Sequence, residues 1–328
     1  MTVAELKADL LGRLSSFLWA QWAQMGLLAS PAAEDQWVVD PEALLLLSLE
    51  VGREDPRLFD EVLDWLLVNE RLMSTRRLRN LAHDEADRAL AGAAVSWVAQ
   101  WRRRDQSQAP EWADAAIEAE PIFIGARTPV GRPDPAFLEH GFLKGWVEPQ
   151  RRSGQPRLDL PINLALRLRS LLGVGARAEV VRVLLCSDAP RLSLQAIAAS
   201  TAYAKRNVQE AAASLRAAGV ASSSTLGNEQ RFELPRQRWL QLLELERPPA
   251  HEDWPQLFRA LRVLLRWLRD PRLEELSEYM LASEARQLLE AVTPDLHFAG
   301  IPVDLVGPEG AAYWAHFAAV VRDLPPRP

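Results

Sequence analysis

The chain has 328 residues, of which 48 % are hydrophobic and 25 % are charged, and this composition excludes a disordered or fibrous protein. The length predicts two or three domains, since one domain usually spans roughly 100–200 residues. Cys186 is the only cysteine, which excludes an internal disulfide framework and a multi-cysteine metal site. The five histidines are scattered, and we expect neither a metal nor another cofactor.

The sequence contains no membrane-spanning pattern. Residues 1–10 mix acidic and apolar side chains and lack the basic start and apolar centre of a secretory signal. The longest apolar run, residues 43–49, ends at Glu50, whereas a spanning helix needs about 20 apolar residues. We therefore expect a soluble, cytoplasmic protein that does not bind a membrane.

Residues 1–110 predict an N-terminal helical domain. Asp40-Pro41 and Asp55-Pro56 each combine an N-cap residue with a proline suited to the first helical position, which predicts two helix starts. Ser74–Leu81 carries three arginines and has two interpretations. It could open a second recognition-like helix, or its arginines could only offset the acidic side chains of Asp84, Glu85 and Asp87.

Composition changes on both sides of the centre of the chain. Prolines and glycines crowd residues 111–170, which predicts a loop-rich connector with a few short strands. After the proline pair at 248–249, leucines return at helical spacing, and residues 247–328 predict a C-terminal helical domain.

Residues 171–246 give the most specific structural prediction, three helices followed by a β-hairpin. The predicted helices are Ala176–Ser187, Leu194–Ser200 with Ser193 as its cap, and Ala204–Ala218. The predicted strands are Val220–Thr225 and Gln230–Leu234. This order is typical of a winged helix, and the predicted fold class is a mainly α, multi-domain helical protein with an internal winged-helix domain.

The string Ile197–Val220 resembles the winged helix-turn-helix of bacterial transcriptional regulators of the MarR and GntR type. The likeness consists of the turn at 201–203, small polar and basic residues after it, then Val208, Leu215 and Gly219-Val220, and covers about a fifth of the chain. Ala204 and Ala212 depart from the family pattern, which often has a serine or threonine cap and a leucine there. The resemblance implies a regulator that binds double-stranded DNA as a homodimer.

The outward side of the helix from Ala204 carries residue types suited to reading bases. Arginine can bind guanine with two hydrogen bonds, and asparagine or glutamine can bind adenine in the same way. The hairpin adds polar groups suited to phosphate or minor-groove contacts. The candidate DNA-binding residues are Tyr203, Lys205, Arg206, Asn207, Gln209, Glu210, Asn228 and Arg231.

Charge is distributed unevenly along the chain. Residues 144–234 hold 13 Lys and Arg against 7 Asp and Glu, a balance of +6, so the rest carries −12 within a total of −6. A basic middle in an acidic protein favours a sequence-specific, DNA-binding transcriptional regulator whose other domains stay off the DNA. These domains could bind an effector or a protein partner.

The alternative hypothesis is a protein-interaction module, such as an antitoxin or assembly factor, in which the winged helix binds a protein. An enzyme is not expected, because the sequence offers no combination of nucleophile, base and orienting group.

Overall fold

The structure is a computed structural model that describes residues 1–27, 36–103, 119–125 and 131–325. The described residues are mainly helical, which confirms the mainly α part of the predicted fold class. Their α-helices are α1 (Val3–Gln24), α2 (Pro41–Val51), α3 (Pro56–Asn69), α4 (Thr75–Leu81), α5 (Glu85–Arg103), α6 (Pro135–Leu138), α7 (Leu164–Leu172), α8 (Ala176–Cys186), α9 (Leu194–Thr201), α10 (Lys205–Ala217), α11 (Arg236–Leu242), α12 (Trp254–Leu268), α13 (Glu278–Phe298) and α14 (Tyr313–Asp323).

Short strands form two small sheets. The strands are β1 (Glu120–Pro121), β2 (Phe142–Leu143), β3 (Leu192–Ser193), β4 (Ser222–Leu226) and β5 (Glu229–Glu233). Strands β1 and β2 are parallel, whereas β3, β5 and β4 lie in that order in an antiparallel sheet. Single 3₁₀ turns occupy Glu70–Leu72, Pro161–Asn163, Pro271–Glu274 and Gly310–Ala312.

Helix α2 lies at the centre of the largest hydrophobic cluster. All eleven of its residues are buried, and the carboxylates of Glu42 and Glu50 pair with arginines of other helices. Asp40 caps its first turn through Ala43 N–H and Pro41 follows, and Asp55 caps α3 in the same way, which confirms both predicted helix starts. The long apolar run of the sequence is thus an interior helix. Across the described residues, every helix is too short or too polar to cross a bilayer.

The N-terminal and C-terminal helices share one hydrophobic core. Helices α1 to α5 and α12 to α14 contribute buried side chains to the same cluster, which we call the helical body. The sequence division into separate domains at 1–110 and 247–328 did not anticipate this shared core. Arginines of α12 bind acidic residues of the N-terminal half: Arg262 pairs with Asp87 at 2.8 Å, and Arg266 pairs with Glu50 at 2.5 Å.

Residues 164–245, together with Val38, form a second hydrophobic cluster, to which α7 to α11 and the antiparallel sheet contribute. Helices α8, α9 and α10 lie within about one residue of the sequence prediction, and Gly219 ends α10 with φ +72°. The hairpin of β4 and β5 turns at Gly227 and Asn228, a tighter turn than the predicted four-residue connection. Strand β3 was not predicted, and neither was α11, whose Trp239 joins this cluster.

Candidate nucleic-acid interface

The turn between α9 and α10 is held by the helical body. Three contacts join it to α4: the hydroxyls of Ser74 and Tyr203 are 3.1 Å apart, and carbonyl oxygens of the turn accept two further hydrogen bonds. Arg77 Nε donates to the carbonyl of Thr201 at 2.7 Å, and Asn80 Nδ2 donates to that of Ala202 at 2.9 Å. Ala202 has φ +54°, a left-handed conformation that is costly outside glycine. These contacts fix the direction in which α10 leaves the turn.

Behind this turn lies a buried ionic cluster. It joins the body to the second hydrophobic cluster through α2, α4, α7 and α8, with three arginines and three carboxylates that are all at most 2 % exposed. Its members, named here the interface cluster, are Asp40, Glu42, Arg77, Arg169, Glu179 and Arg182.

Each carboxylate of the interface cluster bonds more than one partner. Glu42 pairs with Arg77 at 2.8 Å and with Arg169 at 2.6 Å, and it also accepts the backbone N–H of Ser74 at 2.7 Å. Glu179 pairs with Arg169 at 2.7 Å and with Arg182 at 2.8 Å. Since formal charges balance and most polar atoms are bonded, the cluster can remain ionised inside the protein.

The cluster also sets the protonation of its acids. Burial opposes ionisation of Asp40, but the neighbouring Arg77 and Arg182 outweigh burial and lower the pKa of Asp40. Burial also opposes ionisation of Glu179, but Arg182 and Arg169 outweigh this effect and hold the pKa of Glu179 far below its ordinary value. Both groups are therefore carboxylates at neutral pH.

The first turns of α10 are exposed. Lys205 and Gln209 lie on the surface, Arg206 exposes 87 % of its side chain, and Asn207 is half-buried. Val208, Ala211, Ala212 and Leu215 face the hydrophobic cluster, which accounts for the orientation of the polar face. Glu210 is exposed and pairs with Arg206 at 2.9 Å, so it neutralises one of the cations.

Tyr203 is an exception among the candidate residues. The sequence placed it on the outward side, but its side chain is only 6 % exposed and packs in the second hydrophobic cluster. Its hydroxyl is hydrogen-bonded to that of Ser74, the N-cap residue of α4. Tyr203 therefore positions the turn and is not available to touch a ligand on the surface.

The two candidate residues on the hairpin are accessible. Asn228 lies in the exposed turn between β4 and β5. Arg231 exposes 39 % of its side chain and pairs with Glu229 at 3.1 Å. These two candidates thus offer one neutral polar group and one cation that a neighbouring carboxylate partly neutralises.

Sequence reasoning missed the residues that support this face. Ser74, the N-cap of α4, and Asn80 of α4 are more than 120 residues from their partners in the turn, so no local pattern links them. The arginine-rich string 74–81 was the available signal, and the structure separates its members. Arg77 is buried in the interface cluster, whereas Arg76 and Arg79 are exposed.

Cys186 lies inside the second hydrophobic cluster, at the end of α8. Burial raises the pKa of its thiol to about 12, so the reactive thiolate is scarce at neutral pH. Among the described residues, the acidic, histidine and cysteine side chains form no group of three suited to a metal ion.

Comparison with known proteins gave no match to a family model, to a curated protein or to a solved structure.

Proposed function

We propose that the chain binds double-stranded DNA through a winged-helix element, residues 176–234, and acts as a sequence-specific transcriptional regulator. The order α8, β3, α9, α10, β4, β5 supports this proposal, since a winged helix uses three helices and a small antiparallel sheet in which the last two strands form the wing. In such an element the third helix, here α10, enters the major groove.

The observation that carries the proposal is the exposure of the first turns of α10 on a rigid support. Lys205, Arg206 and Gln209 extend from the surface, while the preceding turn is bonded to α4. A major groove about 12 Å wide admits one helix, and long cationic and amide side chains at its tip can reach base edges. Fixing the support lowers the ordering cost of binding.

The wing lies on the same element and offers Asn228 and Arg231 for phosphate or minor-groove contact. Two copies of the chain would read two half-sites, and in that case the preferred sequence is palindromic.

The test is selection of bound duplexes from a random library, followed by fluorescence anisotropy on the recovered sequence. The variant Lys205→Ala plus Arg206→Ala should weaken binding by at least tenfold at low salt, because it removes two cations from the tip. The control is Lys7→Ala plus Arg322→Ala, which removes the same charge from α1 and α14 of the body. The control should bind like the unmodified chain. Absence of duplex binding by the unmodified chain at low salt contradicts the proposal.

A second candidate, docking of a protein partner on α10, is favoured by one observation. Glu210 and Glu229 pair with two of the arginines on this surface, which reduces its net positive charge. An interaction module would bind no generic duplex at low salt, and its binding would not follow the steep salt dependence of phosphate contacts.

A further inference from the structure

Helix α4 belongs to the helical body, yet its exposed face lies beside the proposed recognition helix. The hydrogen bonds from α4 to Thr201, Ala202 and Tyr203 place it against the turn from which α10 begins. Arg76 of α4 and Asn207 of α10 line a common surface cleft of about 410 Å³. The two helices thus border the same space.

The exposed face of α4 carries two arginines without a carboxylate partner. Arg76 and Arg79 are three residues apart, which puts them on neighbouring positions of one helix face. Within the described ranges, neither arginine has an acidic group at ion-pair distance. Arg77, between them, points inward and is saturated by Asp40 and Glu42.

The acidic residues that follow α4 do not account for these two cations. Asp84 pairs with Arg266 of α12 at 2.8 Å. Asp87 pairs with Arg262 at 2.8 Å and with Arg266 at 2.6 Å. The sequence left open that the arginines of 74–81 offset Asp84, Glu85 and Asp87. The arginines of α12 pair with Asp84 and Asp87, and among the described residues Glu85 forms no ion pair with Arg76 or Arg79. Among the described residues, Arg76 and Arg79 therefore have no carboxylate partner that would compete with an external anion.

The position of α4 beside α10 favours a DNA phosphate group as this anion. A helix whose N-terminal turns enter a major groove is flanked by the two phosphate backbones that bound the groove. An element beside that N-terminus faces one of these backbones and not the base edges. Arg177, exposed in the first turn of α8, lines the same cleft as Arg76 and adds a second cation there. Glu210 also lines this cleft, but its carboxylate pairs with Arg206.

We propose that Arg76 and Arg79 of α4 bind backbone phosphates of the duplex next to the groove occupied by α10, so that the helical body forms part of the DNA interface. This inference depends on the proposed DNA binding and extends it to a surface outside the winged-helix element. The interface then runs from the hairpin across α10 to α4. The body sets the register of α10 on the duplex through α4, in addition to supporting the turn.

The test compares the unmodified chain with Arg76→Ala plus Arg79→Ala on the selected duplex and on an unrelated duplex over a range of salt concentrations. Loss of two phosphate contacts should weaken binding to both duplexes by about tenfold at low salt and reduce the slope of log K against log salt by about 2. The charge-retaining variant Arg76→Lys plus Arg79→Lys should keep most of the affinity. The control Lys7→Ala plus Arg322→Ala should keep both affinity and slope.

Each outcome distinguishes this inference from the proposed function. Unchanged affinity and slope in the Arg76 and Arg79 variant, with weakened binding by Lys205→Ala plus Arg206→Ala, overturns the role of α4 and leaves the DNA-binding proposal standing. A changed sequence preference overturns the phosphate assignment, because phosphate contacts carry no direct sequence information. No duplex binding by the unmodified chain overturns both. Far-ultraviolet circular dichroism checks folding, and Arg76→Gln plus Arg79→Gln replaces the alanine pair if that pair unfolds.

Discussion

Two neighbouring regions use arginine in opposite ways. In the interface cluster, every guanidinium is buried and pairs with a carboxylate. Arg77 and Arg169 pair with acids of other elements, whereas Arg182 bonds Glu179 of its own helix and lies 3.6 Å from Asp40. On the open face formed by α4 and α10, Arg76 and Lys205 are exposed and have no acidic partner among the described residues. Because a buried charge must be paired whereas an exposed charge is stabilised by water, the first set fixes the geometry of the molecule and the second is available to a partner.

The comparison is sharpest at two consecutive residues of α4. Arg76 lies on the surface, and Arg77 is fully buried between Asp40 and Glu42. The same side chain therefore has a structural role at one position and a proposed binding role at the next. Removing each side chain in turn separates the two roles.

The largest effect is expected for Arg77→Ala. It leaves the carboxylates of Asp40 and Glu42 buried with fewer partners, and the free energy of unfolding should fall by about 3–5 kcal/mol. Arg76→Ala, one position away, should change it by no more than about 0.5 kcal/mol. Urea denaturation followed by tryptophan fluorescence measures both. Equal effects of the two variants would show that the buried pairs do not support the fold.

The second-largest effect is expected from acid, which should reduce the contribution of the interface cluster to the free energy of unfolding. The pKa values of Asp40 and Glu179 are lowered in the folded protein, so both groups favour folding above their ordinary values of 3.8 and 4.5. This contribution is lost as the pH falls below about 4.5, because the unfolded chain then binds more protons. Glu61, whose pKa is raised by burial and by Asp64, acts in the opposite direction.

Urea denaturation at pH 7, 5 and 3.5 tests this sign. The unmodified chain should lose little stability between pH 7 and 5 and much more between pH 5 and 3.5. Glu179→Gln should be less stable at pH 7, since it lacks one ionised group, and should lose less on acidification. A variant with the same acid sensitivity as the unmodified chain would show that Glu179 does not contribute.

A smaller effect is expected at the contact between the two regions. Tyr203→Phe removes the hydroxyl that bonds Ser74 and should lower the free energy of unfolding by about 1 kcal/mol. Tyr279→Phe is the matched control, because Tyr279 is 66 % exposed. If Tyr203 touched DNA directly, the same change would reduce affinity without affecting stability, which is the result that contradicts the structure.

The contrast also explains what the sequence could predict. Local signals placed the starts of α2 and α3, the end of α10 at Gly219 and the polar face of α10, because caps, glycine and helical spacing act over a few residues. The burial of Tyr203 depends on Ser74, 129 residues away. Asp40 was predicted correctly as a cap, but its second role as partner of Arg77 requires the packing of α4 on α2. Contacts of this kind have no local pattern.

The shared core of the body shows the same limit. Helices α1 to α5 and α12 to α14 are separated by about 150 residues, and each has an ordinary amphipathic or apolar pattern. Such patterns predict which face is buried but not which helix covers it. The two ends of the chain were therefore predicted as separate domains.

The smallest effect on stability, and an informative one on binding, is expected for Glu210→Gln. Glu210 pairs with Arg206 at 2.9 Å on an exposed surface, and such a pair contributes only about 0.3–0.5 kcal/mol to folding. Removing the negative charge of Glu210 frees the guanidinium of Arg206 from its ion pair and lowers the repulsion of DNA phosphates. Duplex affinity should therefore rise several-fold at low salt, and this gain in affinity should shrink as the salt concentration increases. Glu290→Gln, which removes an exposed charge from α13 of the body, is the control and should bind like the unmodified chain. A loss of affinity in Glu210→Gln would instead mean that Glu210 accepts a hydrogen bond from a base, as cytosine can provide. Glu210 would then contact a base directly and would not only neutralise Arg206.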